Sequence, residues 1–313
     1  MAGTSGTIRG LDLRSTFATR PPEIDFVLPG LALGTVGMVV SPGGTGKSFL
    51  LLSAVLSVGL GEDLGLIWGV PPKQGPAVYI GLEDPEEILA LRLHDLGKVM
   101  KFDADMVERA AANCHFLPAY GRGWTVAVKT PAGLVESERF GATVEALAKL
   151  RPRLIVIDTM NRALGGADEN SNGDMGLVTS MIERMCRVTG AAGLIAHHAN
   201  KASMREGDGD EQHAARGASS VTDNFRWQGN LKTMSQDDAA RRGIEDDAER
   251  KKWVRLSVPK VNYGPPLASK WLKRQEGGVL AAGDPPKAKS GNGKGTKKAA
   301  RPYTEVNDDD IKW

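Results

Sequence analysis

Ser41, Pro42, Gly43, Gly44, Thr45, Gly46, Lys47 and Ser48 read S-P-G-G-T-G-K-S, with Phe49 next. Those residue types in that order make a polyphosphate cradle. The glycines let backbone N–H groups converge on phosphate oxygens. Lys47 reaches the terminal phosphates, and the Ser48 hydroxyl is a ligand for Mg²⁺. A helix opening at Lys47 adds its positive N-terminal end. Ser41 replaces the usual first Gly, where the turn only begins. A merely structural Gly-rich turn has no need of G-K-S. The ligand expected at residues 41–49 is ATP with Mg²⁺.

Hydrolysis needs an acid beside the cation and a base for water. Asp158 ends the run R-L-I-V-I-D and suits the first role; the alternative is a loop cap. Thr159 follows it and is a neighbour that can face the same site. Glu83 ends P-A-V-Y-I-G-L-E and is the better base; Asp84 either shares the site or caps a helix near Pro85. His197 and His198 end a third apolar run, A-G-L-I-A-H-H, where His198 can sense a γ-phosphate. A metal role for them lacks a nearby cysteine or an H-x-x-x-H spacing. Arg226, between Phe225 and Trp227, is a candidate arginine finger for a neighbouring subunit, unless it pairs with Asp223. Arg216 and Lys260 are further trans candidates, and Tyr263 either packs on a base or fills a corner. His94, His115 and His213 stand alone and are assigned to surface or packing.

Elements must bring these groups to one edge. The pattern predicts a strand in 34–41, a buried helix from Lys47 to Leu60, a strand at 76–82 and a helix from Pro85 to Gly97. A strand at 115–118, a helix from Ser137 to Leu150, a strand at 153–158, a helix over 173–189 and a strand at 192–198 complete the series. Apolar strands alternating with helices imply α/β: a mainly parallel sheet covered on both faces. Residues 222–283 read as antiparallel strands. Residues 1–20 read as a flexible arm, 21–283 as the ATPase body and 284–313 as a disordered tail.

The 313 residues include 40 Lys+Arg and 38 Asp+Glu, a net +2. The body to residue 283 balances to zero; a basic block at 284–301 and an acidic stretch at 302–313 hold the remainder. A balanced body argues against coating nucleic acid with the whole surface. Cys114 and Cys186 are too few for a disulfide framework or a cysteine zinc site and fit a reducing cytoplasm as buried thiols. No run approaches a membrane span, and the opening residues lack a signal-peptide core.

The ordered set D-F-V-L-P-G, S-P-G-G-T-G-K-S, Y-I-G-L-E-D-P, I-D-T, H-H-A-N-K, R-G-A-S-S-V-T-D-N-F-R-W-Q, K-V-N-Y-G and G-G-V-L resembles the hexameric RecA-like replicative helicases of plasmids, over roughly 21–283. The resemblance implies a ring of six subunits, ATP between subunits, single-stranded DNA in the channel and 5′→3′ unwinding. It assigns Lys47 and Ser48 to nucleotide and Mg²⁺, Glu83 to the base, Asp158 to the cation, His198 to the sensor and Arg226 to the finger. The expected DNA contacts are Lys201 and Arg205 in one loop and Lys232, Arg241 and Arg242 in another, although acids in both loops leave a plain solvated role open. The tail is expected to serve a DNA, initiator or primase contact. A regulatory or recombination ATPase that binds DNA without unwinding is the alternative. A small-molecule kinase fits less well, since the chain lacks a lid-like arginine cluster.

Overall fold

The computed structural model describes residues 10–198 and 224–287. A nine-stranded sheet organises them, in the order β13-β12-β11-β10-β3-β9-β8-β4-β5. Its parallel block contains β3 (Val36–Ser41), β4 (Ala77–Gly81), β5 (Cys114–Pro118), β8 (Leu154–Asp158), β9 (Ala192–His198) and β10 (Trp227–Thr233). The antiparallel strands β11 (Trp253–Val261), β12 (Leu267–Arg274) and β13 (Leu280–Ala282) extend it on one side. Two small hairpins, β1 (Phe26–Leu28) with β2 (Leu31–Ala32) and β6 (Ala127–Thr130) with β7 (Gly133–Glu136), lie outside the sheet.

The apolar runs are continuous because both faces of the parallel block are covered. In β8, Leu154 and Val156 enter one core while Ile155 and Ile157 enter the other. The first core is roofed by α2 (Lys47–Leu60), α3 (Glu86–Val99) and α4 (Ala104–Asn113). Helix α2 is apolar around nearly its whole circumference and is buried from Leu50 onward. The opposite core packs under α5 (Glu138–Leu150), the short α6 (Met160–Ala163) and α7 (Asn172–Thr189) through Phe140, Val144, Met175 and Ile182. Ser137 caps α5 by accepting the Phe140 N–H, as its position predicts. Cys114 and Cys186 are free and buried, and burial pushes both thiols up to about 12. Among the described residues, no helix is long and apolar enough to cross a membrane.

Several local expectations are corrected. Residues 13–18 form helix α1 (Leu13–Ala18), because Asp12 accepts the N–H groups of Arg14 and Ser15. Helix α3 continues past Gly97 to Val99, and Asp84 does not cap it; Asp84 instead forms an ion pair with Arg92. Residues 104–113 form helix α4 where no element is expected; it is amphipathic but short, composed largely of alanine and charged residues, and buries no residue fully. Strand β10 pairs parallel with β3 as well as antiparallel with β11. Residues 236–242, expected in a loop, form α8 (Gln236–Arg242), and residues 247–252, within the stretch read as antiparallel strands, form α9 (Asp247–Lys252). Ser235 and Asp246 cap them.

Candidate functional site

Strand register delivers the predicted groups to one edge. Ser41 on β3 lies opposite His198 on β9, and Gly81 on β4 lies opposite Asp158 on β8. These are the carboxyl ends of parallel strands, where open α/β sheets build their sites. Beyond Ser41 the chain turns through Gly44 and Gly46, at φ +74° and +101°, into α2. Backbone in that region favours glycine. Thr45 Oγ1 closes the turn by donating to Pro42 O at 2.8 Å.

Lys47 is buried at the first position of α2, and desolvation lowers its pKa against the opposing pull of Asp158 and then Glu83. Its Nζ is 3.2 Å from His198 Nε2, which is itself 3.2 Å from Glu83 Oε1. Glu83 Oε1 also accepts from Thr159 Oγ1 at 3.0 Å. The His198 bond, with Thr159 and the Lys47 charge behind it, holds the Glu83 carboxyl at about 2 even though burial opposes ionisation. Glu83 is therefore an ionised acceptor tied to His198 and Thr159.

Asp158 is buried one strand away, and its Oδ2 accepts the Tyr79 hydroxyl at 2.6 Å. Burial first, and then the Asp158 charge, raise the Tyr79 pKa well above its ordinary value, so the phenol stays a donor. Asp158 Oδ1 is buried without a hydrogen-bond partner among the described residues, and so is Ser41 Oγ. An orphaned carboxylate oxygen in a dry site is costly unless a cation or water meets it. Ser48 is half-buried on the first turn of α2. The glycine turn, the buried Lys47 and the open oxygen of Asp158 fit a nucleotide with a divalent cation. The Asp158–Thr159 peptide bond is cis.

His197 points to different surroundings. It is buried, its Nε2 is 3.7 Å from Glu169 Oε1, and burial, then Lys47 and His198, lower its pKa to about 4. No cluster of metal-ligating side chains occurs among the described residues.

Other predicted residues lie elsewhere. Arg226 is exposed just before β10, and its N–H bonds Val36 O at the start of β3. That is the edge opposite the phosphate loop of the same chain. Lys260, level with Gln228 in the β10–β11 register, and the exposed Tyr263 lie toward the same far edge. Lys232 is half-buried near the end of β10. Arg241 pairs with Asp238 at 2.7 Å, and Arg242 donates to Pro286 O at 2.9 Å and lies over the Trp271 ring. Lys201, Arg205, Arg216 and His213 lie outside the described residues, as does the tail beyond 287.

Sequence reasoning passed over Tyr79 and Arg274. Tyr79 is the one hydroxyl-bearing residue in a strand of otherwise apolar residues, which was the available signal. Arg274 Nη2 donates to Gly44 O at 2.8 Å from a residue 230 positions away in sequence.

Residues 7–204 match the AAA_25 family, described as an AAA domain. The match runs from the N-terminal arm through the phosphate loop and β8 to β9.

Proposed function

The chain belongs to the AAA domain family of P-loop ATPases, its match spanning more than half of the sequence, and on that premise we propose an ATP-driven replicative DNA helicase that forms a ring, of six subunits by resemblance, around single-stranded DNA. The observation that carries the ATPase part is the convergence of Lys47, His198 and Glu83 within 3.2 Å steps at the end of the phosphate-loop strand.

In this reading, residues 41–49 hold the polyphosphate, with Lys47 on its terminal groups. Ser48 and Asp158 hold Mg²⁺, which supplies charge neutralisation on the phosphate oxygens when bound. Glu83, ionised over the whole physiological range, orients and deprotonates the attacking water. His198 trades its bond to Glu83 for one to the γ-phosphate and so reports nucleotide state to the residues that follow β9. Arg226 serves the neighbour's site: an exposed cation at the edge away from its own phosphate loop suits a head-to-tail ring, in which unlike faces meet. Lys201, Arg205, Lys232, Arg241 and Arg242 face DNA in the channel. The tail contacts an initiator or primase, and the assembly works in the cytoplasm.

Strand displacement from a forked duplex, combined with ATPase assays and electron microscopy, tests the proposal. Stimulation of hydrolysis by single-stranded DNA, displacement and closed rings support it. DNA binding without displacement, on open filaments, replaces it with a regulatory or recombination ATPase.

A further inference from the structure

Strand β12 runs antiparallel to β11, and β11 runs antiparallel to β10, so β12 is parallel to β10 and β3. Its last residue, Arg274, therefore emerges at the phosphate-loop edge. There the guanidinium donates from Nη2 to Gly44 O at 2.8 Å and from Nε to Lys251 O at 3.2 Å. A Cβ built on Gly46 would lie 3.2 Å from Arg274 Nη1 and 3.1 Å from Leu280 Cδ1. The loop's crown is thus in direct contact with this side chain.

Arg274 also borders an open hollow of about 490 Å³ with Gly44, Thr233, Arg250, Lys251 and Lys252. Each of the other cations there has an acidic partner: Arg250 and Lys251 share Asp247, and Lys252 shares Glu249 with Lys273. Arg274 has no acidic partner among the described residues; it holds two neutral carbonyls. Burial lowers its pKa, so the guanidinium is partly desolvated without a counter-charge. A guanidinium in that state gains more from an anion than from a carbonyl, because charge-assisted bonds are the stronger.

We propose that Arg274 is a phosphate-binding residue of its own subunit, exchanging its bond to the Gly44 carbonyl for the polyphosphate of a nucleotide seated in the loop. The inference rests on the ATP-site reading and adds to it a cation supplied in cis from the far side of the antiparallel extension. No chemical step is required of the residue; it binds and orients the anion. Because the same side chain holds the Lys251 carbonyl at the end of α9, the exchange would also register at α8 and α9.

Titration calorimetry of the full chain with ATP and with inorganic tripolyphosphate, which has no base or sugar, tests this. Arg274→Gln is expected to weaken both by about tenfold or more, and Arg274→Lys to recover most of the loss. Equal binding of tripolyphosphate by wild type and R274Q overturns the proposal. So does an equal loss in R274Q and R274K. Should R274Q fail to fold, labelled-arginine spectra of the wild-type chain, assigned with R274K, decide: an Nε resonance that moves with tripolyphosphate supports the contact, and one that stays overturns it. If wild type binds neither probe, the ATP site itself is refuted, an outcome distinct from wild-type binding that R274Q preserves.

Discussion

His198 Nε2 lies 3.2 Å from Glu83 Oε1, so the histidine at the end of β9 holds the carboxylate that follows β4, two strands away. The same nitrogen is 3.2 Å from Lys47 Nζ. One ring nitrogen thus sits between the cation proposed to bind phosphate and the carboxylate proposed to activate water. Nucleotide binding that draws Lys47 and His198 toward phosphate would release Glu83.

That contact makes a pH prediction. The His198 bond is the largest influence holding the Glu83 carboxyl at about 2. In His198→Ala, the acid limb of the kcat/KM profile, which reports the free enzyme, should move upward toward the ordinary glutamate range near 4.5. A pH–rate series on both proteins checks it; an unmoved limb refutes the link.

Glu83→Gln keeps the shape and removes the proposed base. ATP affinity should stay within a few-fold while hydrolysis falls by about 100-fold or more. Lys47→Ala should reduce both binding and turnover, the latter by about 100-fold or more. Parallel binding and phosphate-release assays separate the two. A Glu83→Gln protein with normal turnover would remove Glu83 from its role.

Tyr79→Phe deletes the donor to Asp158 Oδ2 and leaves both carboxylate oxygens without a protein hydrogen-bond partner among the described residues. Stability should fall by about 1–3 kcal/mol. On the proposal that Asp158 holds Mg²⁺, saturating Mg²⁺–nucleotide should recover part of it, because the cation would meet the same carboxylate. Urea unfolding with and without the ligand measures both effects.

His197 is buried and held at about 4, against an ordinary 6.5. Below pH 6.5 the unfolded chain binds a proton there that the folded chain refuses. Its contribution is therefore complete above about pH 6.5 and is lost as pH falls toward 4, by roughly 3 kcal/mol at most. His197→Gln should flatten stability across that window in urea titrations at stepped pH. A slope equal to wild type would assign the acid sensitivity to other groups.

An arginine finger at Arg226 predicts that Arg226→Ala binds ATP normally but hydrolyses it at least tenfold more slowly, and that mixing it with Lys47→Ala restores activity at mixed interfaces. Unchanged turnover in Arg226→Ala, measured under saturating DNA, excludes the finger.

The sequence alone determined the parallel strands β3, β4, β5, β8 and β9 and the phosphate-loop motif. S-P-G-G-T-G-K-S, R-L-I-V-I-D and A-G-L-I-A-H-H each declare themselves because strand burial, turn glycines and terminal polar residues are local properties. Helices α2, α5 and α7 were legible for the same reason: the continuous apolar run of α2 between Gly46 and Gly61, and the periodicity and closing residues of α5 and α7, are local signals. Helix α4 is amphipathic but only ten residues long, rich in alanine and charged residues, and buries nothing fully; helices α8 and α9, built on short-range caps amid charged residues, carried too weak an apolar pattern. Only the tertiary structure decided that β10 lies parallel to β3, that Tyr79 holds Asp158, and that Arg274 crosses 230 residues to touch Gly44. Strand order and register set those relations. They depend on which long-range pairing buries the most apolar surface with every backbone group bonded, a property of the whole chain and of no single segment.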